Sequence, residues 1–170
     1  MKILVTGGTV FVSRYFAEYY VKKGHDVYVL NRNTRPQSAG VTLIEADRHA
    51  LGSKLRGHHF DVVIDTAYNA DDINDLLSAL DSFTDYIHIS SSAVYPEYAP
   101  QPFSEDTPQA VNCFWGKYGT DKSAAEAALL EKVPHAYILR PPYLYGPMNN
   151  VYREAFVFDC ALAGRKFCLP

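Results

Sequence analysis

Lys2-Ile3-Leu4-Val5-Thr6-Gly7-Gly8-Thr9-Val10-Phe11-Val12-Ser13 opens the chain as a short apolar strand, a glycine turn and the start of a helix. That order decides the fold. A strand that runs through a glycine turn into a helix N-terminus begins a βα unit. Backbone N–H groups and the positive end of the helix dipole then face outward at the turn. A pyrophosphate fits such a place, because missing side chains let the backbone come close. The turn predicts an anion site made by Gly7, Gly8, Thr9, Val10, Phe11 and Val12.

Working outward, short apolar runs alternate with helical patterns, as repeated βα units around a parallel sheet require. Strands are predicted at Lys2 to Val5, Asp26 to Leu30, Val41 to Glu45, Phe60 to Asp65, Asp85 to Ser90 and Ala136 to Arg140. Runs such as Val62-Val63-Ile64 suit strands covered on both faces. Helices are predicted at Phe11 to Lys23, Ala70 to Leu80 and Phe114 to Lys132, with Gly24 closing the first. Right-handed crossovers make this an α/β fold with a doubly wound parallel sheet. Two stretches break the alternation. Asn31 to Gly40 is a polar loop, and Pro96 to Asn112, with its four prolines, is irregular chain expected to cover the site. Tyr152 to Ala163 reads as another helix, and Lys166 to Leu169 as the start of a strand.

The chain has 170 residues, 48% of them hydrophobic and 21% charged, which is the balance of one ordinary globular domain. A net charge of −3 argues against a dedicated nucleic-acid binder. No apolar run approaches the roughly 20 residues of a membrane helix, and the N-terminus lacks a signal-peptide layout. Cys113, Cys160 and Cys168 are too scattered for a disulfide framework or a zinc site, and the six histidines lack ligand spacing. No metal site is expected, and the cytoplasm is the expected compartment.

Tyr118-Gly119-Thr120-Asp121-Lys122 adds chemistry. Residues four apart share one helix face, and a neighbouring cation stabilises a phenolate, so such a tyrosine can move a proton near neutral pH. Alone, the pattern is as easily solvated helix surface.

Taken in order, four segments resemble the extended short-chain dehydrogenase/reductases, the family of NAD(P)-dependent nucleotide-sugar epimerases and dehydratases. They are the opening turn, Ser90-Ser91-Ser92-Ala93-Val94-Tyr95, the Tyr118 to Lys122 element, and Leu139-Arg140-Pro141-Pro142-Tyr143-Leu144-Tyr145-Gly146-Pro147. The resemblance spans the chain. It implies a Rossmann-type NAD(P)-binding domain over residues 1–150. Residues 151–170 would start a substrate-binding lobe that is otherwise missing, as in a truncated chain; a natural minimal domain is the alternative. Turnover by these residues alone is then expected to be very weak.

The same resemblance makes Ser91, Tyr118 and Lys122 the catalytic residues. Ser91 would donate to the substrate oxygen, and Tyr118 would remove or return its proton. Lys122 would hold the nicotinamide ribose and lower the Tyr118 pKa, while hydride passes between the substrate carbon and the nicotinamide. Ser90, Tyr118 and Lys122 would also touch the cofactor. Asp47 and Arg48 would lie by the adenine, Ala67 and Tyr68 would line the groove, and Pro141 and Tyr143 would flank the nicotinamide. Asp47 reads equally as a helix cap.

Two departures matter. The family's glycine positions fall on Gly7, Val10 and Ser13, so Val10 puts a branched side chain where the backbone should approach the cofactor. Either binding survives with reduced affinity, as in divergent branches of the family, or the turn is vestigial. Ser92-Ala93 replaces the Asp-Glu pair of the sugar dehydratases, which leaves epimerisation or keto/alcohol redox. At the end of the second strand, Asn31 and Arg32 replace the acidic residue that selects NAD, which tips the choice between NAD and NADP toward NADP. The expected partner is a small-molecule substrate, a nucleotide-sugar by resemblance. A homodimer could form through the Tyr118–Lys122 helix, whose alanines serve equally as good helix formers. The competing function is a non-catalytic Rossmann-fold member that binds RNA or a regulatory partner.

Overall fold

The computed structural model describes residues 1–167. Six parallel strands form one sheet in the order β3-β2-β1-β4-β5-β6. They are β1 (Lys2–Thr6), β2 (Asp26–Asn31), β3 (Thr42–Glu45), β4 (His59–Asp65), β5 (Ser82–Ile89) and β6 (Tyr137–Leu139). The helices are α1 (Phe11–Lys22), α2 (Ala70–Ala79), α3 (Lys117–Lys132) and α4 (Glu154–Leu162). The order reverses between β1 and β4, and a crevice opens beyond the C-terminal ends of the strands at such a switch point. The doubly wound sheet expected from the sequence is therefore present.

Strand alternation explains the two layers. Leu4, Leu30, Ile44, Phe60 and Val63 point to the side covered by α2 and α3, where Ile73, Leu76, Ala125 and Leu129 meet them. Ile3, Val5, Val27, Val29 and Ile64 point to the other side and pack on Ala17, Phe16 and Tyr20 of α1. Both faces of β1 are dry, which is why its sequence is a continuous apolar run rather than an alternating one.

The differences from expectation lie at element ends. β5 starts at Ser82, three residues early, because Ser82 and Phe83 find partners in His59 and Phe60 of β4. α3 starts at Lys117 rather than Phe114. The Asn112 Oδ1 accepts from the Phe114 and Trp115 amides at 3.0 and 3.2 Å, holding them in a turn, and Gly116 takes φ +47° just before the helix. Gly24 closes α1 as expected, at φ +81° with its N–H on the Val21 carbonyl at 2.9 Å. Residues 96–112 contain no helix or strand. Lys166 and Phe167 are not in a strand, and the rest of that predicted strand lies outside the described residues. No helix among the described residues is long and apolar enough to cross a membrane.

Candidate active site

A cleft of about 1560 Å³ lies beyond the sheet's C-terminal edge. Its wall includes Val10, Phe11 and Val12 from the glycine turn, Ser90 and Ser91 after β5, and Tyr118 and Lys122 of α3. Tyr68 lines it after β4, and Pro141 and Tyr143 line it after β6. Residues 101–105 close one side, so the irregular loop does border the cleft.

The glycine turn is built to keep side chains away. Gly7 and Gly8 have φ of +85° and +80°. A Cβ on Gly8 would lie 2.5 Å from Val29 Cγ1, and one on Gly7 would lie 3.0 Å from Ser13 Oγ. Ser13 fits where a third glycine was expected because it is small and donates its hydroxyl to the Val10 carbonyl at 3.0 Å. The first turn of α1 carries no acidic side chain, and no side chain caps its N–H groups. Donors and dipole at the cleft are thus left for an anion, and these residues fit a dinucleotide pyrophosphate. Val10 borders the same space with extended backbone, φ −135°.

Tight backbone contact joins the two sides of the cleft that carry Ser91 and Tyr118. A Cβ on Gly119 would sit 2.3 Å from the Ala93 carbonyl oxygen, so α3 presses directly on the 3-10 turn Ser92–Val94. Ser91 caps that turn, its Oγ accepting from the Ala93 N–H at 3.2 Å, which leaves its hydroxyl proton free to donate into the cleft. Tyr118 is half-exposed between Tyr68 and Trp115, whose ring centres each lie 6.1 Å away. One turn on, Lys122 is buried. Its ammonium donates to the Ala67 and Ile89 carbonyls at 2.6 and 2.9 Å and lies 5.0 Å from the Tyr68 ring centre. Burial pulls its pKa down to about 8, against the opposing attraction of Asp65 and Asp72.

The remaining expected residues serve different ends. Arg48, expected by the adenine, has its side chain engaged within the chain. It turns inward, bonds both carboxylate oxygens of Asp65, and donates to the Asp72 carbonyl at 3.1 Å. The buried carboxylate at the end of β4 gives the guanidinium its counter-charge. Asp47 caps the turn that follows, accepting from the His49 N–H at 2.9 Å. Arg32 is exposed, 4.0 Å from Asp47. Asn31 donates to the Gly7 carbonyl at 2.6 Å and so ties the glycine turn to the loop after β2. Ser90 borders the cleft, but its hydroxyl is committed to Glu126. The Ala67 backbone serves Lys122 and Asp65.

Sequence reasoning missed the polar groups beneath the cleft. Asp65 is fully buried, and it accepts from Thr6 at 2.7 Å, Tyr86 at 2.6 Å and the Ala67 N–H at 3.1 Å besides Arg48. Burial pushes its carboxyl up, but Arg48, Tyr86 and Thr6 together hold it below the ordinary range. His88 is fully buried with neither ring nitrogen bonded, and burial pulls its pKa to about 4. Thr66, Trp115 and Arg153 also border the cleft.

Comparison with known proteins follows the same lines. The NAD dependent epimerase/dehydratase family model matches residues 3–157. The chain is 30% identical to the chloroplast stem-loop binding protein of 41 kDa b of Arabidopsis thaliana, over 99% of its own length and 49% of that protein. It is 28% identical to a probable dTDP-4,6-dihydroxy-2-methyloxan-3-one 4-ketoreductase of Streptomyces antibioticus, over 92% of itself and 56% of that protein. It thus spans about half the length of these curated relatives. Among solved structures, the Bordetella bronchiseptica enzyme WbmG in complex with NAD and UDP has the same fold. Its TM-score is 0.74 at 21% identity, covering 97% of this chain and 60% of that one. With its glycine turn, its switch-point cleft and a match across nearly all its length, this chain belongs to the NAD-dependent epimerase/dehydratase family.

Proposed function

We propose that the chain carries the NAD(P)-binding site of an epimerase or keto/alcohol oxidoreductase acting on a sugar or nucleotide-sugar. The observation that carries the reading is that Ser91, Tyr118, Lys122 and the Val10–Val12 turn border one cleft. The turn and the N-terminus of α1 would hold the pyrophosphate, Arg32 would face the adenosine ribose, and Pro141 and Tyr143 would flank the nicotinamide. Bound nicotinamide would supply the hydride acceptor or donor. Ser91 would donate a hydrogen bond to the substrate oxygen, and the Tyr118 hydroxyl would take up or return the proton on that oxygen. The Lys122 ammonium would hold positive charge one helix turn away. Residues 1–150 would bind the cofactor, and residues 151–170, with α4, would begin the part that grips the substrate. Ala124 and Ala127, exposed on α3, would suit a second copy packed against that helix.

Two results test this reading. Val10→Gly removes the branched side chain beside the pyrophosphate position and is expected to tighten NAD or NADP binding about tenfold, or ~1.4 kcal/mol. Unchanged or weaker binding in calorimetry would place the dinucleotide elsewhere. The second result concerns pH. Lys122 loses its charge as pH rises through about 8, so affinity is expected to fall above that pH in the wild type and to stay flat in Lys122→Met. A wild-type affinity constant from pH 6 to about 10 would remove Lys122 from cofactor binding.

The second reading is a non-catalytic RNA-binding protein, favoured by the stem-loop binding relative. A net charge of −3 opposes it, since nucleic-acid affinity comes chiefly from phosphate neutralisation. RNA retention that declines steeply with salt, in a chain that binds no dinucleotide, would favour it.

A further inference from the structure

Glu126 follows Lys122 by one turn on the same face of α3, yet it is almost fully buried and reaches no ligand space. Its carboxylate is filled by donors from three different parts of the chain. Ser90 donates from the end of β5, Gln109 from the site loop at 2.7 Å, and Arg140 from the exit of β6 at 2.7 and 3.1 Å. A carboxylate has about four acceptor positions, so none is left over.

The chain of bonds runs on. Arg140 Nη1 donates to the Tyr95 hydroxyl at 2.7 Å and to the Glu105 carbonyl at 3.3 Å, and Tyr95 donates to the Ser104 carbonyl at 3.0 Å. The Tyr95 ring stacks on Phe103 at 4.7 Å between ring centres. Residues 101–105 border the cleft without any helix or strand of their own, so side-chain anchors must set their position. Pro141 and Tyr143, expected beside the nicotinamide, lie within three residues after Arg140. The Ser90 and Ser92 amides bond the Leu139 and Pro141 carbonyls at 2.8 and 3.0 Å, so the same clamp steadies Ser91.

We infer that Glu126 is the positioning residue of the cleft: through Arg140 and Tyr95 it locks the 101–105 segment and the β6 exit against α3, the helix that carries Tyr118 and Lys122. The inference rests on reading the cleft as the dinucleotide site only for its binding arm. It adds a residue that acts through others and touches no ligand.

The test compares wild type with Glu126→Gln, which keeps the shape but loses the charge that gathers the donors. Amide hydrogen exchange is expected to speed up about tenfold in residues 96–112 and 140–145, with β1 and β2 unchanged. NAD is expected to bind about tenfold more weakly while AMP, which probes only the adenosine end, binds as before. Uniform acceleration of exchange, no acceleration, or equal weakening of NAD and AMP would overturn the proposal. If the wild type binds no NAD, the cofactor reading fails by itself and the exchange pattern still decides the role of Glu126. Should Glu126→Gln not fold, Tyr95→Phe removes one hydroxyl and keeps the stacked ring. Faster exchange confined to residues 101–105 is then expected, and unchanged exchange there would overturn the proposal.

Discussion

Replacing Asp65 with alanine is expected to destabilise the chain by about 3–5 kcal/mol, since it strands the buried Arg48 guanidinium without a counter-charge. The Thr6 and Tyr86 hydroxyls and the Ala67 N–H lose their acceptor in the same step. Urea unfolding should show the loss, and a change below about 1 kcal/mol would contradict the ion pair as drawn. The same buried groups set the response to acid. His88 has a folded pKa of about 4 against an ordinary 6.5, so the unfolded chain binds a proton that the folded chain refuses. Stability should therefore fall as pH drops from 6.5 toward 4, by at most roughly 3 kcal/mol from this group. Asp65 is depressed, so its contribution is present above the ordinary carboxylate pKa and is lost as pH falls below that range. His88→Leu is expected to flatten the upper part of the profile and leave the lower part. A wild-type profile with no slope between pH 6.5 and 4 would show that His88 finds a partner for its charge.

Gly119→Ala is expected to destabilise the fold by about 1–3 kcal/mol, reversing the usual sign. At an unobstructed helix position alanine gains about 1 kcal/mol over glycine. Here the added methyl would meet the Ala93 carbonyl oxygen at 2.3 Å, backbone against which nothing flexible can yield. α3 would have to lift from the Ser92–Val94 turn, carrying Tyr118 away from Ser91. Denaturant unfolding reads the stability change directly. A more stable Gly119→Ala would mean that the helix does not pack on the turn, and the shared site of Ser91 and Tyr118 would lose its physical basis.

How far the sequence could be read depended on how local each determinant was. The apolar runs of β1, β2 and β4 and the glycine turn carry their message within a few residues, and the sheet follows from them. So do the two long loops, marked by prolines and polar residues. The start of β5 was hidden because three of the four residues from Ser82 to Asp85 are polar, and its pairing partners in β4 lie more than twenty residues earlier. The Arg48–Asp65 pair was not legible because its two members stand 17 residues apart. Glu126 and His88 looked like ordinary helix and strand residues. Their burial comes from packing α3 on β5, which no short window of sequence reveals. The Gly119 contact had a trace in the sequence, a glycine inside a helical pattern, which lowers helix propensity and so asks for a reason.

The most direct test of the central claim is a calorimetric titration of the folded chain with NAD and, separately, with NADP. Saturable one-site binding is expected, with NADP the tighter ligand and that preference lost in Arg32→Ala. A folded sample that binds neither dinucleotide would contradict the account and leave the glycine turn without a ligand in this chain.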